Sequence, residues 1–467
     1  MAGLAVPALS GCPWRPRVMG PELSVPEEWV SVAGVLEAEL RVQLAATEIG
    51  DRTITTRTYN GTISGPTLRT RPGDTLRLTL MNELPGNPDS DPADINIPHH
   101  PNTTNLHTHG LHVSPAGNSD NILVEVLPGA QFAYEIVIPA DHPAGTFWYH
   151  PHNHGSAATQ VLGGMAGALI IEGEIDEMPE IAAAQDVLMI FQELRVDNAG
   201  HTLLLEADMF MSNFEHMFPG HRLATINGLP APVVRMQPGE VQRWRLVNAK
   251  ATENLLFELE GHQLLLIAWD GITLATPVSL NSLDLAPGNR ADVLVRAGVA
   301  GTFDLMSTGT GHMGMKQHAE TLGYVVVEGA SVAMGLPDTL PAPASLIDIA
   351  PEEIVRAREV ELSQAAPTNA FPFPRFQMDG QLFDPERIDH EAALGDVEEW
   401  TIRNRSNMAH PIHLHSTPFQ VVQVNGVDLL TPRWADTVDV ARSGTVKLRV
   451  RLSDFAGIRP VHCHILT

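Results

Sequence analysis

The chain is poor in several things at once, and each shortage closes off a class of protein. Its 467 residues include two cysteines, Cys12 and Cys463, too few for a disulfide framework, so cysteine number carries no information about compartment. Basic residues are scarce, 29 Lys and Arg against 55 Asp and Glu, and the formal charge of −26 argues against a nucleic-acid partner, whose phosphates need a basic face. An acidic surface would instead repel anions and gather metal cations or cationic reductants; the plainer alternative is that it only confers solubility. No run of ~18 apolar residues occurs, so no membrane span is expected. Aromatic residues make up 5% of the chain, whereas Gly and Pro number 38 and 36. With recurring alternation of apolar and polar residues, that balance favours an all-β protein of short strands and many turns.

The amino terminus suggests export. Residues 2–11 are small and apolar, like the core and cleavage end of a signal, although the usual basic start is missing. Leu9-Ser10-Gly11-Cys12 also resembles a bacterial lipobox, which would make Cys12 a lipid anchor; a plain signal remnant is the alternative.

One phrase of sequence occurs three times. Gly65-Pro66 leads to Pro72-Gly73 and then Leu76-Arg77-Leu78 and Asn82. Asn227-Gly228 leads to Pro238-Gly239 and Trp244-Arg245-Leu246-Val247-Asn248, and Asp379-Gly380 to Leu394-Gly395 and Trp400-Thr401-Ile402-Arg403-Asn404. Nine positions separate Gly73 from Asn82, Gly239 from Asn248 and Gly395 from Asn404. The three glycines are themselves 166 and 156 positions apart, a period of one domain and far longer than a solenoid unit. Within a copy, strands such as Leu40, Val42, Leu44, Ala46 and Phe132, Tyr134, Ile136, Ile138 alternate with polar residues, the pattern of a two-sheet antiparallel sandwich. Helix is minor, with one short stretch expected near Ser156–Leu162. Expected segments are an amino-terminal arm over 1–30 and sandwiches over 31–173, 174–334 and 335–467, divided at Gly173 and in the Pro-, Gly- and Ala-rich stretch 330–344.

The histidines carry the chemistry. With 21 of them, chance gives about one His-x-His pair. Five are present: His107/His109, His150/His152, His152/His154, His413/His415 and His462/His464. On a strand, alternate residues share a face, so each pair is a two-toothed chelate. In the last pair Cys463 would point to the opposite face, allowing one thiolate to serve one metal while its two neighbours serve another. Thiolate with imidazole suits a blue-copper site, and grouped imidazoles also suit copper. The pairs fall in the first and third copies only, so the middle copy is expected to act as a spacer and one wall of the substrate face.

At these residues the chain resembles the multicopper oxidases, which include laccases, bilirubin oxidases and bacterial cuprous oxidases. The motifs are His107-Thr-His109-Gly110, Trp148-Tyr149-His150-Pro151-His152, His410-Pro411-Ile412-His413-Leu414-His415 and His462-Cys463-His464. The resemblance implies three consecutive cupredoxin-like Greek-key β-sandwiches and four copper ions. His107 and His413 would hold the type 2 copper. His109, His150, His152, His415, His462 and His464 would hold the type 3 pair, and His410 with Cys463 the type 1 ion. Cys463 is then unavailable for a disulfide. His154 would be a supporting or structural residue.

The implied activity is oxidation of a phenol, aromatic amine or Cu(I) at the type 1 copper coupled to four-electron reduction of O2 to water, in an exported or periplasmic monomer. Asp120 is the expected proton-relaying acid near the type 2 copper, with an ordinary turn aspartate as the alternative. Asp436 would orient the type 1 side. Met209, Met211, Met217, Met313 and Met315 could form a Cu(I)-favouring group, or simply fill core. The family's pattern continues beyond His-Cys-His to a second type 1 histidine and an axial Met or Leu, whereas this sequence ends at Ile465-Leu466-Thr467; a truncated reading frame is the expectation. The competing reading is a copper-poor or inactive cupredoxin-like binding or structural protein, which the missing histidine favours and the complete cluster set opposes. A two-domain nitrite reductase plan fits poorly with three repeats.

Overall fold

Three pairs of β-sheets follow one another along the chain. They are seen in a computed structural model that describes residues 17–88, 92, 94–202, 221–307, 319–365 and 375–466. The first pair has four and five strands, the second six and five, and the third six and three. The fold is all-β, three consecutive cupredoxin-like sandwiches, as the repeat implied. Among the described residues no helix is long and apolar enough to cross a membrane. The expected short helix is present at Ala157–Leu162. The expected amino-terminal signal and Cys12, and all five methionines of the Cu(I) reading, lie outside the described residues.

The repeated phrase folds the same way three times. Thr75–Asn82, Val241–Asn248 and Val397–Asn404 each pair in parallel with the first long strand of their sandwich and antiparallel with a later one. The asparagine ending each strand is buried, and its amide donates to carbonyls of later segments: Asn102 and Val126 for Asn82, Glu253 and Leu285 for Asn248, Met408, Val440 and Ala441 for Asn404. Its side-chain oxygen accepts the backbone N–H two residues on, from Leu84, Lys250 and Ser406 respectively. An apolar residue there would strand buried carbonyls, each at a cost of about 1–3 kcal/mol. The asparagine therefore marks the corner where strand becomes loop.

One alternation was only half realised. Leu40 and Val42 are buried, but Leu44 is 45% exposed and Ala46 is also exposed. From there the strand Val35–Ile49 pairs only with Arg52–Tyr59, having run past the end of its other neighbour at Val42. The far part of that hairpin leans on the middle sandwich instead, through Thr55 N–H to Gly200 O and a hydrophobic cluster of Ile49, Ile54, Ile63, Leu194 and Val196.

Apolar contact is continuous across the sandwiches. One core cluster runs from Val187 and Phe191 of the second to Phe419 and Val450 of the third, and a smaller one joins Trp148 and Ala168 to Ile190 and Val247. The three sandwiches close on one another, and the first meets the third directly.

Candidate metal centre

Strand register assembles the site. His107–His109 pairs antiparallel with Gly145–His150, setting His107 opposite His150. In the third sandwich His410–Leu414 pairs with Val461–Cys463, setting His413 opposite His462 and Ile412 opposite Cys463. Because faces alternate, His413 and His462 share one face while His410 and Cys463 share the other. The faces are as the sequence predicted: His410 Nδ1 lies 3.3 Å from Cys463 Sγ, and the imidazoles of His462 and His464 are 5.8 Å apart on the opposite side.

The two ends of the chain then meet ring on ring. His107 stacks on His415 with centroids 3.9 Å apart, and His109 on His413 at 3.8 Å. His152 Nε2 and His415 Nε2 each lie 3.0 Å from His462 Nε2. Ligand atoms of His107, His109 and His150, of His107, His413 and His415, and of His152, His415 and His462 lie within 4.8 Å of one another in each group. His464 completes the set, 4.9 Å from His109 and 5.3 Å from His150 between centroids. His154 stands apart, packed on Phe383 and His99.

Five of the rings are held by an oxygen on the outer side. His150 Nδ1–H donates to Pro151 O, His413 Nδ1–H to Asp436 O, and His462 Nδ1–H to Cys463 O. His107 Nδ1 lies 3.0 Å from Asp120 Oδ2, and His109 Nε2 3.0 Å from Asp436 Oδ1. An ionised carboxylate only accepts, so His109 Nε2 carries the proton and Nδ1 is a bare lone pair, and the same holds for His107 whenever Asp120 is ionised. The inward atoms His107 Nε2, His109 Nδ1, His150 Nε2, His413 Nε2 and both nitrogens of His464 are buried without a hydrogen-bond partner. Leaving buried acceptors bare costs about 1–3 kcal/mol each, a large penalty for a protein that uses them only structurally. A donor set of convergent neutral imidazoles fits copper.

The electrostatics agree. Burial, reinforced by neighbouring imidazoles, lowers His107, His109, His152, His415 and His464 well below the ordinary histidine range, and takes His150 to about 3. The rings are therefore neutral near pH 7, the state in which imidazole binds metal. Burial raises Asp120 to about 7 against the pull of the Thr108 N–H bond. Burial likewise lifts the Cys463 thiol to about 12, so a metal must displace its proton. His410 is pinned from behind by Ser406 Oγ, 2.7 Å from Nε2, which leaves Nδ1 toward the thiol.

Two expectations need correcting. Asp436 lies at the histidine cluster and not at the His410–Cys463 side: its carboxylate meets His109 and its carbonyl meets His413. Thr437, the first residue of its strand, sits opposite His413, so Asp436 lies just before the strand begins and beside that ring. The middle sandwich, in turn, is more than a spacer. Arg290 donates to both oxygens of Asp436 at 2.9 and 2.6 Å, and a Cβ on Gly288 would press on His109 and His464 at 3.1 Å. Sequence reasoning missed Ser406, Gly288 and Arg290, none of which sits in a histidine motif.

Multicopper oxidase family models match residues 93–175, 194–330 and 356–467. The chain is 28% identical to the cell division protein FtsP of Edwardsiella tarda over 96% of its own length and 90% of that protein's. It is 25% identical to the multicopper oxidase mco of Staphylococcus aureus, covering 87% of this chain and 80% of that one. A solved multicopper oxidase from Campylobacter jejuni, described as a metallo-oxidase, superimposes with a TM-score of 0.80 at 26% identity, covering 96% of this chain and 93% of that one. Motifs, fold and matched models agree that the chain belongs to the multicopper oxidase family.

Proposed function

We infer that the protein is an O2-reducing copper oxidase. The observation that carries this is the convergence of eight imidazoles from both ends of the chain, with bare ring nitrogens turned inward. His107 and His413 would hold the type 2 copper, His109, His150, His152, His415, His462 and His464 the type 3 pair, and His410 and Cys463 the type 1 ion. When bound, copper supplies the one-electron redox chemistry by which four equivalents from a reductant, with four protons, convert O2 to two waters.

The chain's own residues do the rest. Cys463 is joined through one peptide unit to His462 and another to His464, a short covalent path between the two metal sites. The fully buried rings of His107, His109, His150, His413, His415 and His464 keep bulk water away from reactive oxygen species. Asp120, in contact with His107 Nδ1 and titrating near neutrality, can hold a proton beside the cluster and give it up. The reductant would be a phenol, an aromatic amine or Cu(I), and the net charge of −26 favours a cationic one. Export is proposed on the composition of residues 2–11.

The test is oxygen uptake by copper-reconstituted protein with a phenolic reductant in an oxygen electrode. Uptake approaching one O2 per four electrons supplied is expected, and a copper-loaded protein that consumes no O2 with phenol, aromatic amine or Cu(I) would overturn the reading. The second reading, a role in cell division like that for which the FtsP relatives are named, without oxidase activity in this chain, is favoured by the 28% identity over most of both chains. Folded protein that takes up neither copper nor O2 would favour it.

A further inference from the structure

The ion pair behind His109 joins all three sandwiches. Arg290 belongs to the strand Arg290–Arg296 of the middle sandwich and is fully buried. Its guanidinium donates Nη1–H and Nη2–H to the two oxygens of Asp436 in the third sandwich, Nε–H to Thr146 O in the first, and Nη1–H to Gly288 O in its own. Asp436 Oδ1 also accepts from Thr437 Oγ1 and from His109 Nε2. Behind it, Asp270 accepts the Arg290, Asp436 and Thr437 backbone N–H groups and the Asn289 amide. The space is reserved at motif level. Gly110, the glycine of the first histidine motif, has φ +90, and a Cβ there would run into Arg290 Nη2 and Asp436 Oδ2.

We propose that Arg290 is a positioning residue of the cluster: by gripping both oxygens of Asp436 it aims Oδ1 at His109 Nε2–H, fixing the tautomer that presents His109 Nδ1 to the metal. His109 is held at Nε2 by a carboxylate side chain, so its orientation depends on where that carboxylate points. The backbone carbonyls that hold His150, His413 and His462 need no such support. A forked donor matters because a two-point grip fixes the carboxylate plane, which a single ammonium does not. The middle sandwich, whose described residues contribute no imidazole to the cluster, thereby acts on copper through a third sandwich's carboxylate and a first sandwich's histidine.

The inference rests on the copper reading, and its test separates the two. Copper-loaded wild type, R290M and R243M are challenged with EDTA, and retained copper is read by atomic absorption alongside thermal melting of the metal-free forms. Arg243 is the control: it is equally buried in the middle sandwich and paired with Asp292 and Asp176 at 2.6 Å, but it makes no hydrogen bond to the cluster or to Asp436. R290M is expected to hold copper about 10-fold more weakly than wild type, the low end of the loss seen when a ligand's outer partner is removed, because Asp436 stays but loses its grip. R243M is expected to lower the melting temperature while retaining copper as wild type does. If R290M does not accumulate in folded form, R290K is assayed in its place, with several-fold weaker retention expected because the fork is gone. Wild-type retention by R290M or R290K, or equal loss by R243M, overturns the proposal. A wild-type chain that binds no copper sinks the oxidase reading itself.

Discussion

His152 and His462, 310 positions apart in sequence, bring their Nε2 atoms to 3.0 Å, and His415 Nε2 lies at the same distance from His462. His462 donates its Nδ1–H to a carbonyl, so its Nε2 is a lone pair facing two other ring nitrogens. Neutral imidazoles arranged so repel unless a cation or a shared proton stands among them. The account predicts that a metal does, and the predictions below follow from that.

Replacing His413 by Ala removes a ring that stacks on His109 and bridges toward His107 and His415. Oxygen uptake by the reconstituted variant should fall to background, while circular dichroism of the metal-free variant matches wild type. The fold survives because the apolar core does not depend on this ring. Unchanged turnover in an oxygen electrode would refute the cluster assignment.

Acid should weaken the metal-free protein selectively. His150 is held at about 3 and His410 at about 4 when folded, both through burial, against an ordinary value of 6.5. Below ~6.5 the unfolded chain binds these protons and the folded chain does not. Stability is therefore complete above that value and declines by about 1.4 kcal/mol per pH unit for each such ring on the way down to its folded value. Urea midpoints of metal-free protein should be level from pH 7.5 to about 6.5 and fall steadily from there to 4.5, and a profile flat throughout would contradict the neutral buried rings.

The Cys463 thiol should be sluggish without metal. It is half-buried and lifted to about 12 by burial, so little thiolate exists at pH 7. In a C12S background, leaving a single thiol, iodoacetamide should label Cys463 at least about 10-fold more slowly in the folded metal-free protein than in urea. Equal rates would show a thiolate already free and poised.

Asn404→Ala should be costly and local. The amide is buried, donating to Met408 O at 2.6 Å and to Val440 O at 3.0 Å, and its oxygen takes Ser406 N–H. Losing it should destabilise the protein by about 2–3 kcal/mol in urea unfolding. It should also loosen Ser406, which holds His410 from behind. A change below ~0.5 kcal/mol would mean the repeated asparagine is not the corner brace its contacts suggest.

These contacts also mark what could be read from the sequence and what could not. His-x-His spacing announces chelating pairs because strand alternation is local, and the repeated glycine-to-asparagine interval announces three copies because each copy needs the same corner. Leu44 misled because alternation says which residues share a face, not how far the opposing sheet extends. Asp436 was noticed but assigned to the wrong side, since its position depends on which residue lies opposite His413. Arg290 was invisible for a related reason: nothing near it in the chain is a ligand, and its partners Asp436 and Thr146 belong to other sandwiches.

The central claim is that copper sits where the two ends of the chain converge. Diffraction from copper-loaded crystals at wavelengths on either side of the copper absorption edge tests it most directly. The account predicts anomalous peaks beside His107 and His413 and among His109, His150, His152, His415, His462 and His464, within about 2.0–2.2 Å of the inward nitrogens. Loaded crystals with no anomalous density among those rings, or with copper bound only elsewhere on the acidic surface, would contradict it.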